Sequence, residues 1–213
     1  MALTREFISK QWNVLPVVRD DRSLHALQHV PDCLPIVSDI TGDDVQSAIH
    51  KSLHGIGSVN VLINNAGIPG SGVHLAETSA GEVLSLIDVH CIGALRVCQA
   101  VVPYVADGGV VINISSRFGS ISNVSKGAFD NVTCSYAYRI AKAAQNMLTQ
   151  CMCREFIDKD IRICAVHPGR LKTESGLPGA DRTAEEAAAR IFAMLDTFEH
   201  GTFYSLFEET IEW

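Results

Sequence analysis

The chain has 213 residues, of which 47% are hydrophobic, and a formal net charge of −7 at pH 7. This length favours one domain over residues 1–213, and the acidic balance argues against nucleic acid as a partner, because general nucleic-acid surfaces are basic. No apolar run approaches the roughly 18 residues of a membrane span, and residues 1–11 lack the apolar centre of a secretory signal, so we expect a cytoplasmic protein without a membrane partner.

The amino-terminal part is expected to begin with a helix. Residues 3–10 have the pattern of the last turns of a helix, and residues 12–18 form an apolar run that predicts a strand. A second run over residues 34–38 predicts another strand. Arg19 and Asp39 would each follow one of these strands directly.

Three further apolar runs end in polar or turn residues. Residues 59–63 lead into Asn64-Asn65-Ala66-Gly67, residues 110–114 into Ser115-Ser116, and residues 161–166 into His167-Pro168-Gly169. Short apolar runs of this kind are typical of buried parallel strands, and helix-length segments separate them. The pattern predicts a Rossmann-like, doubly wound α/β fold whose site lies at the carboxyl ends of the strands.

The remaining elements follow from caps and composition. Ser79 with Glu82 predicts a capping box for a helix that continues to about His90. Residues 136–156 and 184–195 predict two more helices, and residues 202–206 predict the last strand. The polar segment 120–135 is expected to be an irregular loop beside the substrate pocket, together with the segment after Thr173.

Tyr138 and Lys142 carry the most informative chemistry in the sequence. At a spacing of four residues they share one face of the predicted helix, so the ammonium could favour the phenolate of the tyrosine. A tyrosine tuned in this way can act as an acid or a base near neutral pH. Alone, the pattern is weak, because it also arises by chance on solvated helix faces.

The combination of motifs resembles the short-chain dehydrogenase/reductase family over nearly the whole chain. The matching residues are Asn64-Asn65-Ala66-Gly67, the paired serines after Asn113-Ile114, Tyr138 with Lys142, and Pro168-Gly169 followed by Thr173. The wide spacing between Ser116 and Tyr138, the sequence of residues 136–139, and the ending at residues 201–213 are similar to the C-factor and Sniffer-type carbonyl reductases.

The resemblance implies an oxidoreductase that acts on a small-molecule carbonyl or alcohol. Tyr138 would protonate the carbonyl oxygen, and Ser116, rather than Ser115, would hydrogen-bond to it. Lys142 would bias Tyr138 and touch the nicotinamide ribose. No metal is required, and the helix that carries Tyr138 often forms a homodimer in this family.

The same resemblance implies NADP as cofactor, with NAD as the alternative. Arg19 could meet the 2′-phosphate, or it could be an ordinary surface arginine. The other residues expected near the cofactor are Asp39, Ile40, Asn65, Ala66, Gly67, Tyr138, Lys142, Pro168, Gly169 and Thr173.

Two features depart from the family pattern. The family begins with a strand and a glycine-rich turn that holds the pyrophosphate, and neither is found in this sequence, so we expect the first βα element to be truncated and cofactor binding to be weak or absent. The strands that flank the gap would close up, another chain would fill it, or the fold would be rebuilt. Gly67–Gly72 is close in composition to such a turn, but its context favours an ordinary loop.

The second departure is His90, which lies where the family usually has an asparagine that holds a water in a proton relay. An imidazole could replace it, or it could merely fill space. Two functions therefore remain open from the sequence: a working oxidoreductase, and a catalytically impaired relative that serves as a binding or protein-interaction module. A longer form of the chain could also be the enzyme.

Overall fold

The computed structural model describes residues 1–173 and 179–213. In chain order, the helices and strands are α1 Ala2–Ser9, β1 Val17–Val18, α2 Asp21–His25, β2 Ile36–Val37, α3 Val45–Leu53, β3 Val59–Asn64, α4 Ala80–Ile87, α5 Gly93–Val101, β4 Val105–Ile114, α6 Ile121–Ser125, α7 Tyr136–Glu155, β5 Ile161–His167, α8 Ala184–Ala193 and β6 Phe203–Ser205.

The strands form two parallel sheets. One contains β3, β4, β5 and β6 in that order, and the other contains only β1 and β2. The centre of the larger sheet is dry, because Val111, Ile112 and Ile163 have no exposed surface. Such burial on both faces explains the continuous apolar runs of these strands. The expected parallel α/β fold is confirmed.

Helices cover both faces of the sheets and form separate cores. On one face, α1 and α8 pack with β4 and β5 around Phe7, Ile112 and Ile191. On the other face, α3 and α5 pack with β2 around Ile49 and Val97. α7 lies next to β5 and closes a third core. This two-sided covering is the doubly wound arrangement, and it leaves the carboxyl ends of the strands free for a site.

A π-helical turn at Asp88–Ile92 joins α4 to α5 and turns His90 inward. The expected cap of α4 is present, since the Ser79 side chain accepts a hydrogen bond from the Glu82 backbone N–H. The reciprocal bond of a capping box is not formed among the described residues. The Glu82 carboxylate instead accepts bonds from the Ser71 and Gly72 backbone.

By length and composition, the helical stretch Ala80–Tyr104 could cross a membrane, and its most apolar window has a mean hydropathy of 1.5. The stretch is not an uninterrupted apolar run, because it contains Glu82, Asp88 and Arg96. Of that window, 44% is buried inside the protein, where α4 packs on α7 and α5 packs on α3. Core packing therefore accounts for part of its apolar character.

Residues 120–135 are more ordered than an irregular loop. They contain α6, and buried Phe129 packs edge-on against Phe118 with the ring centres 4.9 Å apart. The Ser120 hydroxyl donates to the Glu212 carbonyl at 2.6 Å, which fastens this segment to the carboxyl-terminal residues. The sequence did not indicate this order, because Phe129, which anchors the segment, is its single aromatic residue.

The two sheets do not join. A cavity of about 890 Å³ separates them, with residues 11–18 on one side and residues 58–66 on the other. The flanking strands β1 and β3 therefore do not close up, which excludes the first of the three expected arrangements. β1 is also shorter than the run over residues 12–18 suggested, although Val14 forms an isolated parallel bridge with Cys33.

Candidate functional site

The two serines that follow β4 have different surroundings. The Ser115 hydroxyl is buried and donates to Asn146 Oδ1 at 2.5 Å, so it ties β4 to α7. The Ser116 hydroxyl caps the short turn Arg117–Gly119 by accepting from the Phe118 N–H at 3.3 Å. Of these two serines, Ser116 is the one that interacts with the Tyr138 phenol, and this interaction lowers the pKa of Tyr138.

The start of α7 fixes the position of Tyr138. Ser135 is the N-cap of the helix, and its hydroxyl accepts a hydrogen bond from the Tyr138 backbone N–H at 3.1 Å. A serine at this place satisfies one of the free N–H groups of the first turn. Tyr138 thus lies in the first turn of α7, and Lys142 follows one turn later.

The Tyr138 phenol is neutral at neutral pH. Burial raises the pKa of Tyr138 to about 12, and the interaction with Ser116 lowers it only in part. Lys142 is not among the groups that shift the pKa of Tyr138 here, so its effect on the phenolate stays a prediction. The reason is geometric, because the Lys142 ammonium lies 5.9 Å from the centre of the tyrosine ring and bonds to other groups.

Lys142 is a buried cation held by two acceptors. Its Nζ donates to the Ile114 carbonyl at 2.7 Å and to Gln145 Oε1 at 2.8 Å, and only 4% of the residue is exposed. Burial lowers the pKa of Lys142 to about 7. The group can therefore gain or lose a proton close to neutral pH.

His90 packs against both Tyr138 and the chain that follows β3. Its ring meets the Tyr138 ring edge-on at 5.4 Å, and its Nε2 lies 2.9 Å from the Ile68 carbonyl. Burial, followed by the nearby charge of Lys142, lowers the pKa of His90 to about 4, so the ring is neutral at neutral pH. Its Nδ1 is buried without a hydrogen-bond partner.

Gly67 makes the contact with His90 possible. A Cβ atom at this position would lie 2.6 Å from His90 Cε1. The glycine of Asn64-Asn65-Ala66-Gly67 therefore lets the backbone pass directly over the imidazole. The sequence indicated each of these residues separately but gave no sign that they touch.

A chain of buried amides connects the site to the sheet. Asn64 Nδ2 donates to Asn113 Oδ1 at 2.8 Å, and Asn113 Nδ2 donates to Thr149 Oγ1 at 2.8 Å. Thr149 in turn donates to the Gln145 carbonyl at 2.9 Å. This chain crosses from β3 through β4 to α7. The sequence gave one signal for it, which is an asparagine at or near the carboxyl end of each strand, Asn64 in β3 and Asn113 in β4.

The residues expected near the adenine end lie where β1 and β2 finish. Arg19 is exposed and pairs loosely with Asp20 at 3.7 Å. Asp39 Oδ1 accepts from the Thr41 backbone at 2.9 Å, and these bonds, with the nearby charge of Arg19, lower the pKa of Asp39. Ile40, Asn65 and Ala66 line the cavity between the sheets.

The Gly67–Gly72 segment is a loop whose amides are already in use. The Ser71 N–H and the Gly72 N–H both bond to the Glu82 carboxylate. These bonds hold the pKa of Glu82 below its usual range. The amides that a phosphate would need therefore hold a carboxylate of the same chain, in agreement with the expected ordinary loop.

Pro168, Gly169 and Thr173 follow β5 at the opposite side of the site. Gly169 has a φ of 89°, which favours glycine, and Thr173 donates its N–H to the Leu171 carbonyl at 3.0 Å. The expected pocket segment after Thr173 begins with residues 174–178, which lie outside the described residues. The structure thus brings Ser116, Tyr138, Lys142 and His90 together, whereas Arg19 and Asp39 lie apart at the ends of the small sheet.

Comparisons with known proteins agree with this geometry. Residues 1–178 match the family model described as short chain dehydrogenase. C-signal from Myxococcus xanthus is 31% identical over 163 residues, which cover 74% of this chain and 94% of that protein.

Solved structures are similar over the whole chain. The carbonyl reductase Sniffer of D. melanogaster has a TM-score of 0.86 at 19% identity, and the match covers 100% of this chain and 94% of that one. A carbonyl reductase from Pseudomonas aeruginosa in complex with NADP has a TM-score of 0.82 at 26% identity, over 100% of this chain and 93% of that one. At 19% identity, the similarity to the Sniffer structure shows a shared fold alone.

Proposed function

This chain belongs to the short chain dehydrogenase family, and we propose that it is an NADP-dependent oxidoreductase that interconverts a carbonyl and an alcohol. The observation that carries the proposal is the convergence of Ser116, Tyr138 and Lys142 at the carboxyl end of β4, with the serine hydroxyl against the phenol. Similarity to a carbonyl reductase solved with NADP supports the choice of cofactor and substrate class.

Tyr138 is proposed as the proton donor in the reductive direction. With a pKa raised to about 12, the phenol holds its proton at neutral pH and can pass it to an oxygen that gains negative charge. The Ser116 hydroxyl would donate a hydrogen bond to the same oxygen and stabilise this charge. Ser115 has no such role, because its hydroxyl is bonded to Asn146.

Lys142 is proposed to stabilise the tyrosine as it loses its proton. The ammonium has three N–H groups, and two of them bond to Ile114 and Gln145. The third is left for the ribose of the nicotinamide. Since burial sets the pKa of Lys142 to about 7, part of the protein carries a neutral amine at neutral pH.

The residues around the site fit NADP, which would supply the hydride. Arg19 is exposed and would pair with the 2′-phosphate, and Asp39 would lie beside the adenine. Ile40 and Asn65 line the mouth of a cavity large enough to admit an adenosine half. The other proposed contacts of the cofactor are Ala66, Gly67, Pro168, Gly169 and Thr173.

His90 is proposed to hold a water for proton relay. Its Nε2 lies within hydrogen-bond distance of both the carbonyl and the N–H of Ile68, which leaves the buried Nδ1 without a partner. Buried polar atoms of this kind commonly bind a water. The neutral ring, with a pKa of about 4, suits an acceptor.

A homodimer through α7 is part of the proposal. The exposed fractions of Tyr136, Ile140 and Met147 are 42%, 42% and 62%, which leaves three large apolar side chains of this helix open to solvent. Met147 is therefore not a core residue, whereas Met152 on the same helix is 6% exposed. Light scattering of the purified chain would measure this state.

The alternative is a catalytically impaired protein that uses the fold for binding. Two observations favour it: the Lys142 ammonium is bonded to Ile114 and Gln145, and the loop amides of Ser71 and Gly72 are bonded to Glu82. Under this alternative the chain would bind NADPH weakly or not at all.

Calorimetric titration with NADPH and NADH, followed by carbonyl reduction assays, tests the proposal. Micromolar binding of NADPH that a Lys142→Ala variant weakens would support the proposal, as would turnover that Tyr138→Phe lowers by about 10²–10⁴-fold without loss of binding. A chain that binds neither cofactor at millimolar concentration would favour the binding module. Equal turnover by the Tyr138→Phe variant would reject the assigned acid.

A further inference from the structure

Three buried polar atoms at the carboxyl ends of β4, β5 and β6 have no hydrogen-bond partner within the described part of the chain. They are Arg117 Nε, His167 Nδ1 and Ser205 Oγ. His167 and Ser205 are each only 6% exposed. Because an unpaired buried polar atom costs free energy, a group that satisfies several of them at once is strongly favoured.

The strand register places His167 and Ser205 side by side. His167 is the last residue of β5, Ser205 is the last residue of β6, and the two are paired in register. Side chains alternate between the two faces along each strand, so paired residues of neighbouring parallel strands point to the same face. The imidazole and the hydroxyl therefore leave the sheet next to each other.

The face that they share is a covered one. Ile163, which lies four residues before His167 and thus on the same face, belongs to the core that α7 closes. Phe203, two residues before Ser205, packs against Trp213 with the ring centres 5.1 Å apart. His167 and Ser205 consequently point into a closed space between the sheet, α7 and the carboxyl-terminal segment.

Arg117 enters the same region from the turn that follows β4. This turn, Arg117–Gly119, packs on α7. Arg117 Nη1 lies 3.6 Å from Glu208 Oε2, and Glu208 follows β6 by three residues, so the ion pair holds the guanidinium beside the end of that strand. Burial, followed by the nearby charges of Arg117 and Lys142, lowers the pKa of His167 to about 3, which keeps the imidazole neutral.

A single water molecule matches the chemistry of the three atoms. The Arg117 Nε–H can only donate, the Nδ1 of a neutral imidazole can accept, and a serine hydroxyl can do either. A water oxygen can accept from Arg117 and Ser205 while one of its hydrogens is donated to His167. Buried waters typically make about three such bonds. A cation would be repelled by Arg117, and an anion would face the Glu208 carboxylate and could not donate to His167.

We propose that Arg117, His167 and Ser205 bind one buried water. Through this water they hold the turn Arg117–Gly119, and with it Ser116, at the carboxyl end of β4. The Ser116 hydroxyl caps the same turn, so a shift of the turn moves the hydroxyl that is assigned to the substrate oxygen. The three residues are therefore positioning residues. This role rests on the proposed function, whereas the water site does not.

A high-resolution crystal structure of the full chain, grown in the presence of sodium bromide, tests the water site. We expect one water within about 2.7–3.2 Å of Arg117 Nε, His167 Nδ1 and Ser205 Oγ. An anomalous bromide signal at this place overturns the proposal. It is also overturned by direct hydrogen bonds among the three side chains that leave no room for a water, or by a lack of electron density between them.

Kinetics of carbonyl reduction test the positioning role. Arg117→Lys keeps a cation that can pair with Glu208 but removes the Nε–H, and it should lower kcat by about tenfold without a change in the KM for NADPH. Ser205→Ala should have a similar effect, and Ser205→Thr, which retains the hydroxyl, should restore kcat. Ser52→Ala removes a serine hydroxyl that bonds within α3, and as the matched control it should leave kcat unchanged.

The outcomes separate this inference from the proposed function. Unchanged kcat in Arg117→Lys and Ser205→Ala overturns the positioning role, and so does a loss in Ser205→Thr as large as that in Ser205→Ala. A wild-type chain that reduces no carbonyl overturns the proposed function together with the positioning role, and the crystal structure still decides the water site. Normal turnover by a chain in which no water joins the three side chains overturns this inference alone.

Discussion

Lys142 donates a hydrogen bond to Gln145 Oε1 at 2.8 Å, so a buried cation and a buried amide one turn apart depend on each other. Both residues are almost fully buried, at 4% and 1% exposed. The amide oxygen replaces part of the water that the ammonium has lost. Its removal should therefore matter most when Lys142 is charged.

Gln145→Leu should destabilise the protein in a pH-dependent way. At about pH 5.5, where Lys142 is protonated, the free energy of unfolding should fall by about 1.5–3 kcal/mol, as expected for a hydrogen bond to a charged group. Near pH 9 the amine of Lys142 is neutral, because burial lowers its pKa to about 7. The decrease in unfolding free energy caused by Gln145→Leu should then be about half of that at about pH 5.5. Urea unfolding at both values measures the difference.

Gln150→Leu is the matched control on the same helix. Gln150 donates to the neutral Gly201 carbonyl at 3.3 Å, so the cost of its loss should be the same at both pH values. A pH-independent cost for Gln145→Leu would mean that the amide does not support the charge of Lys142.

The two serines after β4 should separate activity from stability. Ser116→Ala should lower the kcat of carbonyl reduction by about 10²–10³-fold, since it removes a donor to the developing oxyanion. Ser115→Ala should instead lower the free energy of unfolding by about 1 kcal/mol, because it removes the bond to Asn146, and kcat should change little. Steady-state kinetics and urea unfolding of both variants measure this. If Ser115→Ala loses as much kcat as Ser116→Ala, the assignment of roles is incorrect.

Much of the fold could be predicted because its signals are local. The apolar runs over residues 59–63, 110–114 and 161–166 became β3, β4 and β5, and Tyr136–Glu155 formed the long helix within one residue of the expected bounds. Short runs with few flanking partners were less well predicted. β1 and β2 each retain only two residues, since neither has a long neighbour to pair with.

The chemical state of the site could not be predicted from spacing. The four-residue interval between Tyr138 and Lys142 is correct, but it says nothing about where the ammonium bonds. Gln145 decides this, and a glutamine in a helix gives no pattern that marks it as buried. Desolvation then dominates, so the pKa of Tyr138 rises although a lysine is near.

His90 should make the protein sensitive to acid. Its pKa is lowered by burial from the ordinary value of 6.5 to about 4, so the unfolded chain binds a proton more readily than the folded one. The stability contribution is fully present above about pH 6.5 and is lost as the pH falls toward 4. Between about pH 7 and pH 4.5, the wild-type protein should therefore lose about 2–3 kcal/mol more unfolding free energy than the His90→Asn variant.

His54→Asn provides the comparison, because it removes an imidazole from an exposed position on the surface rather than from the core. Equal profiles for wild type and His90→Asn would show that the imidazole is not held neutral by burial. His167, also buried with its pKa lowered to about 3, would keep part of the acid sensitivity in either variant.

The contact between Gly67 and His90 predicts a strong coupling between two substitutions. Gly67→Ala places a methyl group 2.6 Å from His90 Cε1, so it should cost about 1–3 kcal/mol of unfolding free energy through overpacking. In a His90→Ala background the ring is gone, and the same substitution should cost less than about 0.5 kcal/mol. A double-mutant cycle by urea unfolding measures the coupling energy.

Gly81→Ala, where a Cβ atom meets nothing within 4 Å, is the control and should show no coupling to His90. Additive effects of Gly67→Ala and His90→Ala would mean that the backbone does not rest on the imidazole.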